Sequence, residues 1–163
     1  MPEPAKLMLD SQIFDRLTDG RLNHAAVASR CVLVTHIQRD ELERAPPGRR
    51  GALLRTFTVV SPEYVPTSTS VWDDTDWDGG EWSQEDARYE RMLERLQVLD
   101  ADAGKRCTPE NQSRDIRIGE TALRLGCVLV SDDSNLRQVL REFGGRALSS
   151  VELTLYSGDA QDV

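Results

Sequence analysis

The chain lacks any apolar stretch near the roughly 20 residues that cross a bilayer, and its opening "MPEPAKLMLDSQIF" has Asp10 where a secretory signal is apolar. Together these absences predict a cytoplasmic protein with no membrane contact. Cysteine is sparse: Cys31, Cys107 and Cys127 are odd in number and form no Cys-x-x-Cys pair, which argues for reduced thiols over a disulfide framework or a thiolate metal site. Positive charge is also in deficit. Twenty basic residues against 28 acidic ones leave a formal net charge of −8, which excludes a global positive field as the means of gripping nucleic acid. Eighteen of the 20 basic residues are Arg, but they are spread along the chain rather than gathered into one patch. There is no nucleophile elbow, nucleotide-binding loop, internal repeat or low-complexity tract, which removes Ser-His-Asp catalysis and leaves nothing to mark a nucleotide hydrolase. Only two histidines occur, His24 in an Ala-rich helix and His36 in a first turn, and both read as structural or exposed.

What is present fits one domain spanning 1–163, long enough to bury a core without disulfides or a structural metal. Leu7-Met8-Leu9 reads as a short strand ending at Asp10, followed by a helix on which Ile13, Phe14 and Leu17 share a face. A second helix is expected over roughly Leu22 to Arg30. The apolar run Cys31 to Val34 is a buried strand, and Thr35-His36-Ile37-Gln38 is a capping box that starts a helix carrying Asp40 and Glu41. Pro46-Pro47-Gly48 ends that helix. From Arg49 to Gly104 no motif stands out, and an irregular acidic insertion with three Trp occupies about 61–83. Ser83 caps a helix with Tyr89, Met92, Leu93 and Leu96 at helical spacing. Another helix, expected to begin near Ser113 with Asp115 in its first turn, runs to Gly126. The strand Val128 to Val130 follows, then a helix with Leu136, Val139, Leu140 and Phe143 on one face, then a second capping box at Ser149-Ser150-Val151-Glu152. Strands that alternate with helices predict an α/β protein, a three-layer α/β/α sandwich around a mainly parallel sheet.

Ligands of such sheets bind where loops gather at the carboxyl ends of the strands. Asp10, Glu41, Asp115 and Asp133 each follow or precede a strand end there. Taken singly, each has an ordinary explanation as an N-cap, a dipole partner or part of a solvated face. Together they form a charge problem, since two carboxylates about 4 Å apart repel by on the order of 4 kcal/mol at an effective dielectric near 20. Hard oxygen ligands in that density suit Mg²⁺ or Mn²⁺, one ion or two.

The segments "LMLDSQIF", "VLVTHIQRDEL" and "SRDIRIGETALRLGCVLVSDDSNL" resemble the successive motifs of PIN-domain nucleases, the VapC-like bacterial proteins among them, over most of the chain from Lys6 to Leu148. The third segment is the most specific, with Asp-x-x-Ile-x-x-Thr-Ala-Leu leading into a strand that ends in Ser-x-Asp. The resemblance implies a PIN-like fold and an acidic quartet at Asp10, Glu41, Asp115 and Asp133, as both catalytic and metal-ligating residues. It adds Ser11 and Ser131 as accompanying hydroxyls. Asp132 stays open as the alternative to Asp133, and Asp40 as the alternative to Glu41, with Leu42 after Glu41 favouring the latter. On the favoured assignment Asp40 and Asp132 point to solvent. The activity implied is Mg²⁺- or Mn²⁺-dependent endoribonuclease cleavage of single-stranded or structured RNA, the toxin half of a toxin–antitoxin pair being one setting. Its partners would then be RNA, an antitoxin or other inhibitor protein, and a second copy in a homodimer. The alternative is a PIN-fold module that binds RNA or protein and cleaves little or nothing.

Overall fold

Among the described residues every strand is only two or three residues long, so the sheet is held by burial on both faces more than by strand length. In the computed structural model, which describes residues 4–67 and 84–156, β1 (Leu7–Leu9), β2 (Val32–Val34), β3 (Glu63–Tyr64), β4 (Val128–Val130) and β5 (Arg146–Leu148) form one parallel sheet in the order β3-β2-β1-β4-β5. Side chains alternate across it, as the pleat requires. Leu7, Leu9, Val32, Val34, Val128 and Val130 point to one face, where Ile13, Phe14, Leu17, Leu42, Leu53, Phe57, Leu153 and Tyr156 cover them. Met8, Leu33 and Leu129 point to the other, under Met92, Leu96, Ile116, Ala122, Leu136, Val139 and Leu140. The first layer is built by α1 (Ser11–Thr18), α2 (Ala25–Ala28), α3 (His36–Glu43), α4 (Pro47–Val60) and α8 (Ser150–Leu155). The second is built by α5 (Gln84–Asp102), α6 (Pro109–Leu125) and α7 (Ser134–Glu142). This is the three-layer α/β/α sandwich expected from the alternating pattern.

Several details depart from expectation. The helix expected from Leu22 to Arg30 shrinks to the single turn of α2. Pro46-Pro47-Gly48 ends α3 and also begins α4, with Pro47 in the first turn, where its missing N–H is no loss. That helix buries Leu53, Thr56 and Phe57 in a stretch that carried no motif. Within the span read as irregular, Glu63 and Tyr64 pair with Leu33 and Val34 as an edge strand. Residues 68–83, which hold the three Trp and Ser83, lie outside the described residues. Helix α6 starts earlier than Ser113, capped by Thr108 with Pro109 next, so Asp115 sits in the second turn and has no dipole role to explain it. The capping boxes at Thr35/Gln38 and Ser149/Glu152 both form as expected. Gly126 closes α6 at φ 65°, the left-handed conformation that glycine adopts without penalty.

Candidate metal centre

The order β3-β2-β1-β4-β5 places the reversal of strand order beside β1 and β4, and the loops leaving these two strands carry Asp10, Ser131 and Asp133. Asp10 caps α1, accepting from the Ser11 backbone N–H at 2.7 Å through Oδ1 and from the Ser131 hydroxyl at 2.7 Å through Oδ2. Burial pushes its pKa up to about 6: the Ser131 hydrogen bond opposes the rise and the Glu41 and Asp133 charges add to it. Ser131 is fully buried and links two acids, since its oxygen also accepts the Asp133 backbone N–H at 3.1 Å.

Glu41 reaches the same edge from α3. The start of α3 is tied to the end of β1 by Gln38, a fully buried side chain whose Nε2 donates to the Leu9 carbonyl at 3.0 Å while its Oε1 accepts from the Thr35 N–H at 2.9 Å. This anchor turns Glu41 toward Asp10, where the Ser11 hydroxyl donates to its carboxylate. Asp40, one position earlier, is exposed. Asp115 enters from α6 and has no hydrogen-bond partner among the described residues. Burial, then the charges of Asp10, Asp133 and Glu41, push it up to about 8. The other three acids are thus close enough to act on Asp115 electrostatically. Among the described residues no three His, Cys, Asp or Glu side chains are drawn together tightly enough to hold one ion.

Asp133 is engaged at both oxygens. Its Oδ1 caps α7, accepting from the Asn135 and Leu136 N–H groups at 3.0 and 3.1 Å, and its Oδ2 takes the ammonium of Lys105. Lys105 also lies 3.6 Å from Oδ1 of Asp100, an acid at the end of α5 that is 2% exposed. Burial opposes the charge of Asp100. Donors outweigh it and hold the carboxyl below its ordinary value: Asn135 at 2.8 Å, Gln112 at 2.9 Å and the Cys107 thiol at 3.3 Å, with Lys105 beside them. Lys105 stays above the ordinary lysine value because Asp133 and Asp100 overcome its own partial desolvation. This Lys105–Asp100 network was not legible among the motifs. Its one trace in the sequence is that Lys105 and Lys6 are the only lysines in a chain with 18 arginines. All three cysteines are free thiols.

Asp132 corrects an expectation. It points away from the cluster, but into a contact rather than into solvent: it accepts from the Ser150 N–H at 2.9 Å, the Ser150 hydroxyl at 3.0 Å and Arg16 Nε at 2.9 Å. These donors override partial burial and keep its pKa low. Beside Lys105 and Asp133 opens a cleft of about 360 Å³ lined also by Gln12, Ala103, Asp132, Ser134 and Asn135; of the four acids it touches Asp133.

Sheet order and layers match the PIN fold. Among solved structures, the chain aligns with VapBC-1 from nontypeable Haemophilus influenzae at 14% identity and a TM-score of 0.52, over 90% of this chain and 98% of that one. It aligns with VapBC2 from Rickettsia felis, solved bound to a DNA fragment from their promoter, at 12% identity and a TM-score of 0.50, over 88% and 98%. PAE2754 from Pyrobaculum aerophilum matches at 14% and 0.50, over 93% and 97%. At these identities the likeness is one of fold. No family model matches the sequence, and no curated protein does. Among the described residues no helix is long and apolar enough to cross a membrane.

Proposed function

We propose that this chain is a Mg²⁺- or Mn²⁺-dependent endoribonuclease of the PIN class. The observation that carries the reading is Asp115, an acid with no hydrogen-bond partner among the described residues, pushed up to about 8 by burial and by three other carboxylates at the switch point of a parallel sheet. A half-buried acid kept in that setting without a protein cation of its own fits a hard divalent ion. The carboxylates of Asp10, Glu41, Asp115 and Asp133 would hold it, Asp133 through the oxygen that Lys105 now occupies. Such an ion supplies a polarised phosphodiester and a more acidic bound water.

The chain's own side chains do the rest. Ser131 fixes the Asp10 carboxylate and the Asp133 backbone in one frame, and Ser11 steers Glu41. Asp115 would have to give up its proton to ligate a cation, which would couple loading to pH. With a net charge of −8, the chain has no broad positive surface for a duplex, and a flexible single strand that brings one phosphate at a time to the cleft is the better substrate. The fold shared with the VapBC structures supports a toxin whose partner is an antitoxin.

The test is cleavage of a labelled single-stranded RNA in Mn²⁺ by wild type, Asp10→Asn and Asp115→Asn. Cleavage by wild type alone, with all three proteins equally folded, is the expected result. A second reading, an RNA- or protein-binding module without cleavage, is favoured by the lysine already seated on Asp133. RNA binding without product across Mg²⁺ and Mn²⁺ would select it.

A further inference from the structure

Asp133 has two carboxylate oxygens, and both are engaged. Oδ1 is committed to the first turn of α7, where it accepts two backbone N–H groups whose loss would uncap the helix. Oδ2 is therefore the oxygen left for a cation, and the Lys105 ammonium sits on it. Lys105 follows Gly104, whose φ of 65° turns the chain back at the end of α5, and its backbone N–H donates to the Asp100 carbonyl at 2.9 Å. The ammonium spans from Asp133 to Asp100 Oδ1, 3.6 Å away. Asp100 itself is fixed by Asn135, Gln112 and Cys107. An ammonium leaving Asp133 is thus retained by Asp100 and needs no expulsion to bulk water. The lysine side chain is 40% exposed, so nothing in the packing locks it in place.

We infer that Lys105 is a resident counter-cation that competes with the divalent ion for Asp133, with Asp100 as the site that keeps it when the ion is bound. The inference rests on the proposed metal centre. Its consequence is a threshold: the centre loads only when the divalent concentration is high enough to move a tethered ammonium from one carboxylate to another. It also accounts for how four acids share an edge in the metal-free protein, since one is neutralised from within.

A counter-ion that competes for Asp133 predicts tighter metal binding when the lysine is removed, and a lysine with no part in loading predicts no gain. Mn²⁺ binding is measured by calorimetry on the whole chain without RNA, for wild type, Lys105→Met and Lys105→Arg, with melting curves in EDTA to confirm folding. The Met variant keeps an unbranched apolar stem and removes the charge. It is expected to bind Mn²⁺ about fivefold more tightly, equivalent to about 1 kcal/mol at 1.4 kcal/mol per decade, and the Arg variant to stay close to wild type. Equal or weaker Mn²⁺ binding by the Met variant, with wild type binding normally, overturns the counter-ion and leaves the metal centre standing. If neither wild type nor the Met variant binds Mn²⁺, the metal centre and the inference fall together. Binding by the Met variant alone would be the strongest support.

Discussion

Replacing Asp115 by Asn should stabilise the metal-free protein, and the size of the effect follows from its surroundings. Burial and the charges of Asp10, Asp133 and Glu41 raise this acid from an ordinary 3.8 to about 8. A carboxyl whose folded pKa exceeds its unfolded one favours folding most below about pH 4 and loses that contribution as pH rises through about 8. At about pH 7, some three decades above the unfolded pKa, folding must retain a proton the unfolded chain has released, which costs about 4 kcal/mol at 1.4 kcal/mol per decade. Asn has no proton to hold, fills the same volume, and breaks no hydrogen bond among the described residues. The expected gain is therefore about 2–4 kcal/mol near pH 7 and nearly nothing near pH 4, which in a domain of this size is on the order of 5–15 °C in melting temperature. The assay is urea or thermal unfolding of wild type and Asp115→Asn in EDTA across that pH range. Titrating groups away from the acidic edge cancel in the difference. A gap that stays flat with pH, or an Asn variant that melts lower near pH 7, would refute the claim that Asp115 is crowded by like charge.

Three further outcomes are expected. Mn²⁺ binding should release protons from Asp10 and Asp115, raised to about 6 and about 8, so apparent affinity should climb from about pH 6 to about pH 8; calorimetry in buffers of different ionisation enthalpy counts those protons, and a pH-independent affinity would argue against the site. Asp132→Ala should cost about 1–2 kcal/mol by freeing Ser150 at the start of α8 and Arg16 on α1, and should leave Mn²⁺ affinity unchanged; a loss of metal binding would move the ligand from Asp133 to Asp132. Gln38→Ala should be the harshest of the set, about 2–4 kcal/mol by denaturant unfolding, because it leaves the buried Leu9 carbonyl and Thr35 N–H without partners; a neutral result would mean that α3 is not held to β1 through this side chain.

The sequence by itself determined whatever depends on neighbours along the chain. Three-residue apolar runs ending in acids, the boxes at Thr35/Gln38 and Ser149/Glu152, and the spacing of Leu136, Val139, Leu140 and Phe143 are local rules, and local sterics and hydrogen bonds enforce them wherever the segment lies. Because alternating strands and helices permit few topologies, the same runs also carried the four acids to one edge. Only the tertiary structure decided what rests on residues far apart in sequence. Arg146–Leu148 opens on a charge and offers no apolar run, and Glu63–Tyr64 is only two residues, so neither reads as a strand; they form by pairing with Val128–Val130 and Leu33–Val34. Helix α4 buries Leu53 and Phe57 against a layer built from both ends of the chain. Asp132 turns from Asp133 because Ser150 and Arg16 meet it from other elements. Lys105 finds Asp133 28 residues downstream only once α5, α6 and α7 have packed, and no short-range pattern can encode the position of a charge whose partner arrives through folding.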